Sequence, residues 1–532
     1  MVPNITRKPT SVSDITTLKL KYTGKIRDSL HDTIPFTEAE KYIINKEEFQ
    51  RLRRITQTAF TSYAFPGASH SRFEHSLGVM HVADLMIHSI FQNQKRLLDA
   101  LSENLIQTPK HIIDFLRESE NKHGSIRDTK LAIESLEKKP YLLQCLRFAA
   151  LLHDIGHAPF SHSCEKFMVT WAHLKENFSS LKAPKWLKDG IKIKAEKLEA
   201  KNYELQKIKI RHEIYTLLII AKIFDSNDEF LNQKMAQDIC SILDLSIAPY
   251  SNGILAKSNL QTLFHEIISG EIDADRMDYL LRDSRECGII YGYFDLGRIL
   301  DSLAFYYNAN SNSFHLCIRR SGISAYEDYL RARWSMYQQV YFHKTVTACE
   351  AMLEHVNNNS NNFHLPLDIE EYLKIDEHSF YSFISNKLSA NNYLNNILKD
   401  LIFKRKLWKR VFEEIIPKNS LHKESTTCQK IIQYLNTINC PAEIIESSTN
   451  LTNFSPKGKY LTSKNNLKVI IKDVHLLRYL EPIENHSSLI NREDEEFLIR
   501  RIYISKYDLN LTNISEKEVQ KNISEKIFNI SN

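Results

Sequence analysis

No stretch narrows the possible folds of this chain as tightly as the decapeptide HDIGHAPFSH, His153 to His162, which follows a long apolar run. A histidine beside an aspartate offers one nitrogen and one oxygen to the same cation, and a cation so held is a tool for hydrolysis. One such pair alone holds a first-row metal weakly, so further ligands must come from elsewhere in the chain. The fold must therefore carry remote segments to the end of the helix that the apolar spacing predicts from about residue 130 through Cys145 and Phe148 into the doublet.

Two segments can supply those ligands. In SRFEHSLG, residues 71–78, apolar positions flank His75 and turn it inward. An isolated histidine there reads more simply as a core or capping residue. In EIDADRMDYLLRD, residues 271–283, carboxylates crowd a helix start, where by themselves they complement the helix dipole. With the doublet, the segments yield a mixed set of imidazoles and carboxylates that suits one divalent Fe, Mn, Zn, Co or Ni and leaves positions open for water and a phosphate oxygen.

Only 13 glycines and 14 prolines interrupt 532 residues, which points to a mainly helical protein because helix interiors exclude both. Seven of the glycines (Gly67, Gly78, Gly156, Gly270, Gly288, Gly292 and Gly297) fall beside the motifs, as tight turns near a site would require. A net charge of +5 demands no nucleic-acid partner and suits an anionic small substrate equally. The eight cysteines are scattered without CxxC pairs, which argues for reduced thiols and against a zinc ribbon or disulfide framework. With no signal-type apolar core at residues 1–25 and no bilayer-length apolar stretch, a cytoplasmic protein without a membrane partner is expected.

The periodicity predicts a helix over residues 36–57, a break at FPGASH (65–70) and a new helix near Ser71. Residues 166–210 read as a charged, solvated helical excursion, or as a lid or partner surface. A β-hairpin is expected over 304–320 and a long helix from Ile323 to about His355. A polar linker at 357–362 divides a catalytic core, residues 1–356, from an α+β region, 363–509. That region has helices near 369–384 and 394–415 and strands at 467–471 and 499–504, before a frayed tail at 510–532. The basic run FKRKLWKR, 403–410, allows a non-enzymatic alternative in which single-stranded bases stack on Trp408; a basic helix face is the plainer reading.

SRFEHSLG, HDIGHAPFSH and IDADRMDYLLRD, in this order, resemble the HD-domain phosphohydrolases and among them the deoxynucleoside triphosphate triphosphohydrolases. The resemblance spans about residues 25–355 and includes EFQRLRRITQ, FPGASH, FDLGR and Tyr341-Phe342-His343-Lys344. It implies an HD-domain helical core without a sterile-alpha-motif segment ahead of it, and a metal held by His75, His153, Asp154 and Asp275. Water would attack the α-phosphorus of a dNTP, releasing deoxynucleoside and inorganic triphosphate. His162 would protonate the leaving 5′-oxygen, oriented by Glu165 one helical turn away, while His157, His212 and Arg72 contact phosphate oxygens. Arg276, Tyr279 and Arg333 match positions that hold the triphosphate, with Mg able to accompany the nucleotide. Asp283 and Gln57 match readers of the sugar 3′-hydroxyl, and Tyr341 matches an aromatic that leaves no room for a 2′-hydroxyl.

Many similar enzymes are homotetramers activated by nucleotides, with guanine read by an Asp, a Gln and an Arg. Gln50 and Arg53 are in place, but Asn45 stands where the Asp would be, and an amide presents one acceptor and one donor instead of two acceptors. Guanine activation is therefore expected to be weakened, altered or absent. Lys25, Phe65, Arg298 and Lys344 match positions around the activator pocket. HD proteins also include phosphodiesterases and nucleases that act on other nucleotides or nucleic-acid ends; Tyr341 and Arg333 favour a triphosphate.

Overall fold

The computed structural model describes residues 20–105, 126–225, 231–360, 363–388, 392–417, 426–449, 467–472, 478–487, 497–505 and 515–528. The fold is mainly α, with a helical core, a small β-hairpin and an α+β C-terminal region. At its centre the Arg72–Leu105 and Pro140–Leu152 helices pack together, and the Ala274–Cys287 helix lies against the first. From Leu142 to Leu152 every residue except Gln144 is buried, as a helix that is apolar all round requires. Pro140 opens it, because a proline at the first helical position loses no needed N–H, so the single run expected from residue 130 is two helices, Ile126–Lys138 and Pro140–Leu152.

The segment read as one helix over 36–57 is built otherwise. Strands β1 (Tyr22–Asp28) and β2 (Asp32–Thr37) form an antiparallel hairpin, followed by the short Glu38–Ile44 and Glu47–Gln50 helices and a 3-10 turn, Arg51–Arg54. Thr37 caps the first of these: its hydroxyl accepts the Glu40 N–H at 3.2 Å, and the Glu40 carboxylate accepts the Thr37 N–H at 2.8 Å. The capping box fixes the start of this helix at Glu38, and the run then breaks where Lys46 takes an extended conformation. Glu40 also takes the buried Arg147 guanidinium on both oxygens, at 2.7 and 2.8 Å, which anchors this start to the core. Thr37→Ala is expected to lower stability by about 1 kcal/mol in urea denaturation, and an unchanged midpoint would show the cap to be idle.

The expected hairpin is β3 (Leu303–Asn308) and β4 (Ser313–Arg319). Its sheet continues with β7 (Lys468–Lys472), parallel to β4, and β8 (Arg478–Pro482), in the order β3-β4-β7-β8. A second sheet, ordered β5-β9-β6, joins β5 (Lys409–Pro417), β6 (Ala442–Thr449) and β9 (Phe497–Ile504). The boundary expected at 357–362, of which 361–362 lie outside the described residues, does not part the core. Leu365, Tyr372, Phe380, Leu398 and Trp408 are buried in the same apolar cluster as Phe148 and Leu151.

Four further expectations are corrected. The helix expected over 394–415 ends at Ile402, Arg405 takes a left-handed φ of 50°, and the chain re-enters as β5. Trp408 is 5% exposed and its ring lies 5.0 Å from that of His355, so no base can stack on it. In the tail, Glu516–Phe528 is a helix because Val519 and Ile523, one turn apart, bury against Cys428, Ile431 and Leu435; residues 510–514 and 529–532 lie outside the described residues. The long helix from Ile323 is interrupted by a π-helical turn, Tyr337–Tyr341, and restarts as Lys344–Asn358 under a His343 side-chain cap.

Residues 166–210 carry the Trp171–Glu176 and Lys185–Ala200 helices. Their roots are pinned where the Ile210 N–H donates to the Val169 carbonyl at 2.9 Å. Lysines here are largely paired, Lys175 with Glu199 and Lys194 with Asp244, both at 2.7 Å. Among the described residues no helix is long and apolar enough to cross a membrane.

Candidate active site

The apolar Pro140–Leu152 helix delivers His153 at its C-terminus and Asp154 just beyond. The His153 Nδ1–H donates to the Ala150 carbonyl at 2.8 Å, leaving Nε2 as the free ring atom. Across from it, His75 stands in the first turns of the Arg72–Leu105 helix with its Nδ1 on Asp278, 2.9 Å away. Both Nε2 atoms are buried without a hydrogen-bond partner. Asp275, in the first turn of the Ala274–Cys287 helix, brings Oδ1 within 3.1 Å of His75 Nε2 and 3.6 Å of His153 Nε2. Asp154 lies 3.5 and 3.4 Å from the same atoms.

These spacings fit a bound cation. Ligand atoms about 2.1 Å from one ion stand about 3.0–3.4 Å apart at neighbouring positions, and His75, His153 and Asp154 offer atoms that all lie within 4.8 Å of one another. Burial alone would push the His75 imidazole down, but the Asp275 and Asp278 carboxylates override it and hold it up at about 10. Burial would raise the carboxyls of Asp154 and Asp275; Arg72 chiefly holds the first far below the usual range, and His153 and His75 hold down the second. Such a buried, electron-rich pocket attracts positive charge.

His157, His162, Glu165 and His212 form a second cluster with ligand-capable atoms within 4.8 Å. Glu165 Oε1 is 2.5 Å from His212 Nδ1 and 3.2 Å from His162 Nδ1, and the His157 and His212 rings stack at 3.6 Å. Asp154 joins the clusters, 3.2 Å from His157 Nε2 and 3.9 Å from His212 Nε2. Burial opposes charge on Glu165, yet hydrogen bonds from both imidazoles keep it a carboxylate well below its usual range. The His212 imidazole is raised: burial pulls it down, and Glu213 and Glu165 outweigh that. Burial, Arg72 and His212 keep His157 neutral. The His162 side chain is 68% exposed, with its ring 4.8 Å from that of His157.

The backbone between the clusters is unusual. Phe160 and Ser161 both take left-handed φ values, 55° and 52°, which non-glycine residues seldom adopt. Glu377 holds the turn by accepting the Phe160 N–H at 3.0 Å, while the Ser161 hydroxyl donates to the Thr56 carbonyl at 2.6 Å.

The remaining candidates separate. Arg72, expected on phosphate, is buried with its guanidinium on Asp154 and, at 2.8 Å, on the Ser161 hydroxyl. Gln57 is buried with Oε1 unpartnered. Asp283 accepts from the Tyr341 hydroxyl at 2.6 Å and pairs with His70 Nε2 at 2.7 Å. The π-helical turn sets Tyr341, whose ring lies 6.2 Å from Tyr279. Arg276 is held by Asp273 and the Gly270 carbonyl, and Arg333 lies 5.8 Å from the Tyr337 ring.

Gln50 donates to the Ile44 carbonyl at 2.7 Å and accepts from Arg53 at 2.9 Å, while Asn45 is exposed at the end of the Glu38–Ile44 helix. Phe65 meets His343 at 5.7 Å beside exposed Lys344, and Arg298 donates to the Ser321 carbonyl. Among the described residues no hydrogen bond or ion pair joins exposed Lys25, the 45–53 turn and Arg298. His31, His70, Ser161, Asp278, Arg282 and Glu377 escaped the sequence reading. His70, Ser161, Asp278 and Arg282 lie inside quoted motifs, whereas nothing local marks His31 or Glu377.

Two family models match the chain: the HD domain over residues 129–283 and the HD associated region over 294–438. The chain is 30% identical over 383 residues to an uncharacterized protein of Methanocaldococcus jannaschii, covering 71% of this chain and 58% of that one. It is 24% identical over 409 residues to the deoxynucleoside triphosphate triphosphohydrolase SAMHD1 of Danio rerio, covering 76% of this chain and 52% of that one. The chain thus spans little more than half the length of either relative. A crystal structure of a phosphohydrolase from Bacteroides thetaiotaomicron shares the fold with a TM-score of 0.54 at 20% identity, covering 91% of this chain and 99% of that one. From the two matched regions in sequence and these relatives, the chain belongs among the HD-domain proteins, with an HD domain followed by an HD associated region.

Proposed function

We propose that the protein hydrolyses deoxynucleoside triphosphates to deoxynucleoside and inorganic triphosphate with one divalent transition metal. The observation that carries this reading is the pair of buried, unpartnered Nε2 atoms of His75 and His153 facing Asp154 and Asp275, beside a second histidine cluster that shares Asp154. Bound there, a divalent cation supplies charge to the phosphoryl oxygens and acidifies water. Glu165, kept ionised, favours the protonated form of the His212 imidazole. With its Nδ1–H on Glu165, His162 retains Nε2 to deliver a proton to the leaving 5′-oxygen. Arg72 orients Asp154, a role one step behind the phosphate contact that its motif suggests. Tyr341, held on Asp283, closes the sugar end against a 2′-hydroxyl.

The test is incubation of metal-loaded protein with each dNTP and NTP, singly and mixed, resolving deoxynucleoside from mono- and diphosphate. Triphosphate release from dNTPs is expected, and Tyr341→Ala is expected to narrow discrimination against ribonucleotides by about tenfold or more. Release of monophosphate or diphosphate instead would overturn the reaction. The same reading extends to a cytoplasmic, nucleotide-activated homotetramer whose guanine response is weakened by Asn45. Strong stimulation by GTP that Asn45→Asp leaves unchanged would sink that last element.

A further inference from the structure

Asp278 is fully buried, and its two oxygens serve four donors from three parts of the chain. One oxygen takes His75 Nδ1–H at 2.9 Å and Arg282 Nε–H at 2.8 Å; the other takes His31 Nε2–H at 2.6 Å and Arg282 Nη2–H at 2.9 Å. His31 comes from the turn between β1 and β2, far ahead of the 129–283 segment that the HD-domain model matches. That turn is closed by Asp28, which accepts the Leu30 and His31 N–H groups at 2.9 and 2.8 Å and pairs with Arg282 at 3.0 Å. Gly78 leaves room for the assembly, since a Cβ there would stand 1.9 Å from Asp278 Oδ1 and 2.5 Å from Arg282.

We propose that Asp278 and His31 are positioning residues for the cation: the β1–β2 turn locks Asp278, and Asp278 locks His75 with Nε2 facing Asp154 and Asp275. A carboxylate on the far nitrogen of a ligating imidazole fixes its tautomer and ring orientation and raises its basicity. His31 acts one bond further out, because its N–H prevents the Asp278 carboxylate from swinging off His75. The N-terminal hairpin is thereby part of the metal centre, and it couples any movement of β1 or β2 to the orientation of the first ligand.

This inference rests on the reading of His75 as a metal ligand, and the experiment separates the two. Full-length protein stripped of metal is titrated with cobalt(II) alone, following the visible absorption band, and competed with a chelator; metal-free thermal melts control for folding. Asp278→Asn is expected to weaken cobalt affinity by about 10–100-fold and His31→Ala by about tenfold, each with an altered band. His31→Gln, which keeps an N–H donor for the same carboxylate, is expected to regain most of the affinity and the wild-type band. Should Asp278→Asn fail to fold, the His31 pair decides. Wild-type affinity and spectrum in His31→Ala, or equal losses in His31→Ala and His31→Gln, would overturn the positioning role. Failure of the wild type to bind cobalt would overturn the metal reading itself.

Discussion

Asp154→Asn is expected to abolish hydrolysis, by about three orders of magnitude or more, equivalent to about 4 kcal/mol of transition-state stabilisation, and to strip the bound cation. Among the described residues no other side chain touches so many members of the site: Asp154 approaches His75, His153, His157 and His212 within 3.2–3.9 Å and pairs with Arg72. The amide removes a negative charge where two buried imidazoles need a counter-charge to share a cation. It also removes the counter-charge of the buried Arg72 guanidinium, whose further contacts are the neutral Ser161 hydroxyl and, at a long 3.4 Å, the Gln57 carbonyl. Breaking one half of a buried pair costs about 3–5 kcal/mol, so the melting temperature should fall along with activity. Metal content by mass spectrometry, turnover and thermal melts must move together. A variant that keeps its metal and turns over normally would place the chemistry elsewhere.

Gly156→Ala is expected to be nearly as severe through packing alone. A Cβ at this position would lie 2.2 Å from the Thr216 nitrogen and 2.4 Å from the His212 carbonyl oxygen, both backbone atoms of the His212–Ile223 helix. Backbone cannot swing aside as a side chain can, so the helix start must move. His212 would then leave Glu165, now 2.5 Å away, and lose its stacking on His157. Overpacking of this kind costs about 1–3 kcal/mol and occasionally more, and misplacing His212 by about an ångström should cost about 100-fold in turnover. Gly288→Ala is the control. It sits at φ 70° with no atom within 4 Å of the added carbon, so about 1–2 kcal/mol is lost and turnover is kept. Equal behaviour of the two variants in urea denaturation and kcat/KM would show that the close approach at Gly156 does not matter.

Much of the helical core is legible in the sequence. The run into His153, the hairpin at 303–319 and the strands near 468 and 499 follow from spacing that each segment carries within itself. The residues proposed as ligands in three distant stretches do converge, because ligand chemistry marks itself locally: a His-Asp doublet, an inward histidine, carboxylates at a helix start. Competition was harder to see. Residues 22–37 pair as strands ahead of the expected helix, and the helix expected over 394–415 stops at Ile402 although its pattern could continue. Trp408 sits in a basic run that suggests a base-stacking face, but it is buried in the main apolar cluster against His355 of the Lys344–Asn358 helix.

By itself the sequence determined the secondary-structure class, the motif order and the kinds of atoms that could meet a cation, since these depend on neighbours along the chain. Only the tertiary structure decided who pairs with whom. Arg72 turns to Asp154, 82 positions away, and His75 takes its proton partner from Asp278, 203 positions away, while His31 enters from a hairpin that no motif announced. The reason is physical: a buried charge accepts whichever partner the packing brings within about 3 Å, and that distance is set by the whole core at once.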